Sequence, residues 1–259
     1  MKSILKTICR KLLLFGKIRN NLCYLRAFYY CKIKQNMKNF NDVSDQTWKN
    51  TLDSNKRVVY NKNIKLPKKP KRFSVLDIGR SLAGGSANLL IEGIKKKFNK
   101  SDFKNLKVLS IGPRAEGEIF NLFAHGFELN NITGLDLFSY SPYIKLGDMH
   151  KLEFKDEEFD IVLMGWCLAY SNNKKVALSE VKRVMSKDGL VMIGYSVNRE
   201  KTDQDQINER GYLIASPYNQ IKSMDNLDDL VKSIGLNMFY SKIISTIPPA
   251  EKLIYGATK

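Results

Sequence analysis

Two short apolar runs constrain this chain more than any other feature. The first, "LKVLSIG" (106–112), ends in a glycine; the second, "NITGLDL" (131–137), carries a carboxylate, Asp136, 24 residues after Gly112. Between them Ile119, Leu122 and Phe123 fall at helical spacing, and the pattern stops near Gly126. Apolar runs this short fit strands buried on both faces, which parallel sheets covered by helices provide. The order is therefore strand, glycine loop, helix, strand, acid. A glycine at the first strand end lets backbone approach a nucleotide, and an acid ending the next strand can accept hydrogen bonds from ribose hydroxyls.

The same grammar continues. "IKLGD" (144–148), "FDIVLMG" (159–165) and "GLVMIGY" (189–195) read as further strands, and "LNMFYSKI" (236–243) and "EKLIYGAT" (251–258) as two closing strands joined through Pro248-Pro249. Helix faces are formed by Leu90, Ile91, Ile94 and Phe98, by Ala177, Val181, Val184 and Met185, and by Leu227, Leu230, Val231 and Ile234. Ser223 is placed to cap the last of these and Gly235 to stop it. Seven strands follow from Gly112's strand onward. A rival glycine loop, "SVLDIGRSLAGGS" (74–86), would make eight, but the next strand after it ends at Ser110 with no carboxylate. The loop at Gly112 is the better opening of a nucleotide site.

Charge divides the chain. Residues 1–72 hold 19 Lys and Arg against Asp42, Asp45 and Asp53; the remaining residues hold 24 cations and 23 acids. The arm, 1–72, is thus separate in character from a nearly neutral body, 73–259, whose core is 106–259. Ile4, Ile8, Leu12 and Phe15 give the arm an apolar stripe among Lys and Arg, and "KLPKKPKR" (65–72) reads as a linker. Such a basic helical extension suits an anionic membrane surface, a lid over a pocket, or nucleic acid. The four cysteines form no zinc spacing and no CxxC pair, and are expected as reduced thiols in a cytoplasmic protein. No run is long enough for a signal peptide or a membrane span.

Taken together, "VLSIGPRAEGE", "ITGLDLF", "IKLGDMHKLEFKDEEFDIVLMGWCLAYSNN" and "ALSEVKRVMSKDGLVMIGY" resemble the class I S-adenosylmethionine-dependent methyltransferases, in particular the type-11 group. The resemblance spans about 106–195. It implies an α/β, Rossmann-like, seven-stranded, mostly parallel sheet with helices on both faces and the last strand inserted antiparallel. It also implies S-adenosylmethionine as cofactor; the sequence itself offers no metal cluster, and no metal is expected. By resemblance, Gly112 approaches the cofactor, Asp136 with Leu137 holds the ribose, Asp148 takes the adenine amino group with Met149 beside the ring, and Trp166 and Cys167 close the fourth strand.

The sequence departs from that pattern at the glycine loop. Ser110 stands where the family has an acid, so Glu116 or Glu118 is expected to meet the cofactor's amino group. Arg114 stands at a usual glycine, where it would pair with the cofactor's carboxylate or with Glu118. Only 12 residues separate Asp136 from Asp148, which leaves no room for a full helix. His125, before a helix-ending glycine, is expected to face solvent, and His150 to be structural; Tyr170 either lines an acceptor pocket or packs. No catalytic base is identified. The reading is methyl transfer to a small-molecule, lipid or glycan acceptor. The alternatives are a nucleic-acid or protein methyltransferase using the basic arm, or a degenerate cofactor-binding protein without activity.

Overall fold

The computed structural model describes residues 58–59, 86–113, 116–137, 143–171, 173–198, 212–213, 221–245 and 250–259. The basic segment before Val58, the linker, the rival glycine loop and Arg114 lie outside the described residues. In chain order the elements are β1 (Val58–Val59), α1 (Ser86–Lys97), β2 (Val108–Ile111), α2 (Glu116–Ala124), β3 (Ile132–Asp136), β4 (Ile144–Leu146), β5 (Phe159–Gly165), α3 (Lys174–Val184), β6 (Met185–Asn198), β7 (Tyr212–Leu213), α4 (Met224–Lys232), β8 (Asn237–Ser245) and β9 (Ala250–Thr258). β1 and β7 form a two-residue antiparallel pair, joining a piece of the N-terminal segment to the long link after β6.

The remaining strands form one seven-stranded sheet in the order β4-β3-β2-β5-β6-β9-β8. β4, β3, β2, β5 and β6 run parallel; β9 is antiparallel to both β6 and β8. Period-two alternation sorts the strand residues between two cores. Val108, Ile161, Leu163, Leu190, Met192 and Ile254 pack under α1 and α2. Leu109, Val162, Met164, Val191, Ile193 and Leu253 pack under α3 and α4. Helices therefore cover both faces, as continuous apolar strands require.

Local chemistry sets the helix boundaries. α1 ends in Lys95, Lys96 and Lys97, and α2 begins with Glu116 and Glu118, each charge matching its end of the helix dipole. Asn173 and Ser223 cap α3 and α4 by accepting the amides of Val176 and Asn226. Two expectations are corrected. Met185, read as part of the α3 face, is the first residue of β6, which runs from 185 to 198 rather than 189 to 195. Its partner is Phe159, across an irregularity that absorbs the register shift. His125 is buried rather than solvent-facing, because the chain continues inward to fully buried Phe127, which stacks on Phe103.

Candidate functional site

The sheet's connectivity locates the site before any side chain is considered. From β2 the chain steps outward to β3 and β4, then crosses back to place β5 on β2's other side. Between β2 and β5 the direction of winding reverses, and in open parallel sheets the crevice beyond the strand ends at such a point binds ligands. Ile111 lies opposite both Leu135 and Met164, so the strand ends of β2, β3 and β5 are level.

Gly112 leaves β2 with φ of +70°, a left-handed conformation that costs a side-chain-bearing residue about 1–2 kcal/mol. A Cβ there would also sit 2.5 Å from the Cβ of Cys167. The Gly112 amide donates to the Leu135 carbonyl at 2.8 Å, tying the glycine to β3 just before Asp136. Asp136 ends β3, and its carbonyl accepts the Gly147 amide at 3.0 Å, which brings the turn after β4 alongside. Asp148 and Met149 follow in that turn; Met149 packs on the core under α3 and α4, while the Asp148 carboxylate is half-exposed.

Across the switch point, Trp166 takes φ of +67° although it is not glycine. A bulky residue in that region is strained, and such strain concentrates at functional sites. Its ring lies against Gly194, where a Cβ would stand 2.7 Å from the ring atoms, and its indole N–H donates to Ser196 Oγ at 2.8 Å. Trp166 is thus turned toward β6. Cys167, next along, is buried, and its thiol is pushed up well above its ordinary value by burial and then by the negative charges of Glu118 and Asp136. The thiol stays protonated, and both carboxylates lie near enough to bear on it.

Glu116 and Glu118 are both buried in the first turn of α2. Glu118 Oε1 accepts from the Ser110 hydroxyl at 2.5 Å. The missing acid on β2 and the acid on α2 are thus joined: Ser110 leaves room for a carboxylate that reaches back from the helix. Of the predicted residues, Gly112, Glu116, Asp136, Leu137, Asp148, Met149 and Trp166 all lie at the C-terminal rim of the parallel strands. Arg114 lies outside the described residues. Sequence reasoning missed Ser171, whose hydroxyl meets His150; no local pattern predicts a contact between residues 21 apart. Among the described residues no cluster of His, Cys, Asp or Glu could hold a metal ion.

The sequence profile of a family described as "Methyltransferase domain" matches residues 109–193, from β2 into β6. The matched third of the chain is a methyltransferase domain, set in the class I, S-adenosylmethionine-dependent fold. S-adenosylmethionine is its cofactor, and the matched region contains Gly112, Arg114, Glu116, Asp136, Leu137, Asp148, Met149 and Trp166. An uncharacterised protein of Methanocaldococcus jannaschii is 44% identical over 43 residues, 17% of this chain and 21% of that protein, so the match spans about a fifth of the curated relative. Several solved structures share the fold. The MccD protein has a TM-score of 0.53 at 15% identity, over 68% of this chain and 97% of its own. An S-adenosylmethionine-dependent methyltransferase from Mesorhizobium loti has a TM-score of 0.51 at 12% identity, over 69% and 100%.

The methyltransferase domain's residues suit that cofactor. Apart from its carboxylate, S-adenosylmethionine presents an ammonium, a sulfonium, two ribose hydroxyls and an adenine amino group, all positive or hydrogen-bond donating. The rim answers with Glu116, Glu118, Asp136 and Asp148, groups that accept only when ionised.

Proposed function

We propose that this methyltransferase acts on a small-molecule, lipid or glycan acceptor. The observation that carries this reading is the charge of the body. With 24 cations against 23 acids after residue 72, it has no net positive field to hold a phosphate backbone. In this reading Gly112 gives the cofactor close backbone approach. Glu116, helped by Glu118, faces its ammonium. Asp136 and Leu137 hold the ribose, Asp148 and Met149 the adenine, and Trp166 walls the side toward the acceptor. Arg114 is assigned to the cofactor carboxylate.

The bound cofactor supplies a methyl group on a sulfonium, which leaves by in-line displacement. The protein's task is then chiefly alignment, which can lower a barrier by up to about 7–11 kcal/mol. Neither histidine is poised as a base. Burial, with Lys95 and Lys100 nearby, lowers His125 to about 4, and both ring nitrogens of His150 are engaged. An acceptor that is already nucleophilic, or that loses its proton to water, fits this site best.

The test is incubation of the full chain with methyl-labelled cofactor and a fractionated cell extract, with Asp136→Ala as the blank. The expected result is label in a low-molecular-weight or lipid fraction that the blank lacks. Label confined to nucleic acid or protein would overturn the acceptor class. The basic arm adds a docking proposal: vesicles of anionic lipid should sediment the full chain but not a chain lacking residues 1–70. Equal sedimentation of both would remove the membrane role. Among the described residues, no helix is long and apolar enough to cross a membrane.

A further inference from the structure

The turn after Gly147 begins a chain of hydrogen bonds that the cofactor assignments do not use. Asp148 Oδ1 accepts twice, from the His150 backbone N–H at 2.9 Å and from His150 Nδ1 at 2.6 Å. An ionised carboxylate only accepts, so Nδ1 carries the ring proton. In the neutral ring Nε2 is then the acceptor, and the Ser171 hydroxyl, 2.8 Å away, donates to it. The Ser171 oxygen accepts in turn from the Asn173 amide at 3.1 Å, and the Lys174 ammonium donates to the Ser171 carbonyl at 3.1 Å. Donor and acceptor alternate without conflict from the N-terminus of α3 to the acid after β4. Ser171 is fully buried directly after the turn Cys167–Tyr170, so the far end of the chain is fixed in the core.

Two familiar roles for this trio are excluded by the same geometry. A general base needs a free lone pair, and that of His150 Nε2 is occupied by Ser171. A serine nucleophile needs access, and Ser171 has none. What the chain does leave open is the second oxygen of Asp148: among the described residues, Oδ2 has no partner. The carboxylate is 53% exposed while the imidazole is 24% exposed, so the latch is shielded and the free oxygen is not.

We propose that His150 and Ser171 form a latch that holds Asp148 in one rotamer, presenting Oδ2 to the amino group of the cofactor's adenine. His150 is then a positioning residue for cofactor recognition. The inference rests on the assignment of Asp148 to the adenine. A half-exposed aspartate left alone divides its time among rotamers, and a ligand that needs one of them has its Kd raised by one over that rotamer's population. The latch removes that loss before the ligand arrives. It also ties the adenine end of the site to the turn that carries Cys167, opposite Gly112.

The test is calorimetry on the full chain with two ligands, S-adenosylhomocysteine and S-inosylhomocysteine, in which the 6-amino group is replaced by a 6-oxo group. The wild type should prefer the adenosyl ligand tenfold or more, and Asp148→Ala should erase the preference. His150→Ala and Ser171→Ala should each reduce the preference about three- to tenfold, with affinity for the inosyl ligand unchanged. His150→Asn, which keeps a donor near the Nδ1 position, should recover part of the loss. Equal weakening of both ligands by His150→Ala and Ser171→Ala, or a preference left intact, overturns the latch. If Asp148→Ala itself leaves the preference intact, the adenine assignment falls and the latch with it. If only the histidine and serine variants are silent, the assignment stands and the latch alone falls. Should His150→Ala not fold, Ser171→Ala decides the question by the same readout.

Discussion

The rim where the parallel strands begin and the rim where they end are built from different chemistry. At the beginning rim Arg183 closes on its neighbours: Nε and Nη2 bind Glu180, and Nη1 binds Asp156 and the Phe154 carbonyl. Nη2 also binds the Leu152 carbonyl, and Asp160 accepts the Lys107 amide. His125, on the same rim, is buried and kept neutral. At the ending rim Glu118 accepts from a serine hydroxyl and Asp148 from an imidazole N–H. A cation paired with a carboxylate cancels its charge, whereas a hydroxyl orients the carboxylate and leaves its charge. The beginning rim closes its polar groups on the protein itself; in the proposed reading the ending rim turns carboxylates toward a cationic ligand.

Gly112→Ala should strike the ending rim hardest. Left-handed strain together with the encounter with the Cys167 Cβ should cost about 2–5 kcal/mol of stability. Denaturant unfolding measures the loss, and calorimetry should find no cofactor binding. Cys167→Ala should not rescue it, because the clash is with the Cβ that alanine retains; Cys167→Gly should rescue part. A stable, binding-competent Gly112→Ala would mean that this rim is not close-packed.

The beginning rim should respond to pH through His125. Its folded value, about 4, lies below its ordinary value of 6.5, so the unfolded chain binds the extra proton first. Stability from this group is complete above about 6.5 and is lost as pH falls toward 4, by about 3 kcal/mol at about 1.36 kcal/mol per unit. Unfolding midpoints of the wild type and His125→Gln, compared from pH 7 to pH 4, should converge at the acid end. Parallel curves would place His125 in water and blur the contrast between the rims.

Arg183→Ala should lower stability by about 2–3 kcal/mol, the scale of losing charge-assisted bonds to partners that remain. Cofactor affinity should be unchanged once the protein is folded; a matching fall in affinity would show that the two rims are coupled. Asp136→Ala is the converse. Its effect on stability should be smaller than that of Arg183→Ala, because Asp136 lies outside the buried core. Cofactor affinity should fall a hundredfold or more, the product of two hydrogen bonds at about 1.5 kcal/mol each. Intact binding in that variant, with loss in Asp77→Ala instead, would move the site to the rival glycine loop.

The strands are legible wherever an apolar run is bounded by turn residues. β5 falls on the run "FDIVLMG" without a shift, and Ser223 caps α4 as its spacing requires. The start of β6 is not legible, because Met185 satisfies a helix face and a strand equally well, and only its pairing with Phe159 decides. His125 misleads for a related reason. A glycine one residue on signals the end of a helix, not whether the next residues turn outward or inward. At the site, the glycine and the acids stand at readable spacings, and the loss of an acid at Ser110 points to α2. That Glu118 makes the bond to Ser110, and that Ser171 meets His150, depends on pairings set by the folded sheet.

The antiparallel insertion of β9 has a consequence for how the protein comes into being. β8 is synthesised before β9 but touches the sheet only through it, with Tyr240 opposite Gly256 and Ser241 opposite Tyr255. On the ribosome, β6 and β8 therefore wait with open edges until residues 250–258 emerge. Exposed edges of this kind recruit other chains. A translation product that stops short of residue 250 should be not a smaller methyltransferase but a substrate for chaperones and proteases.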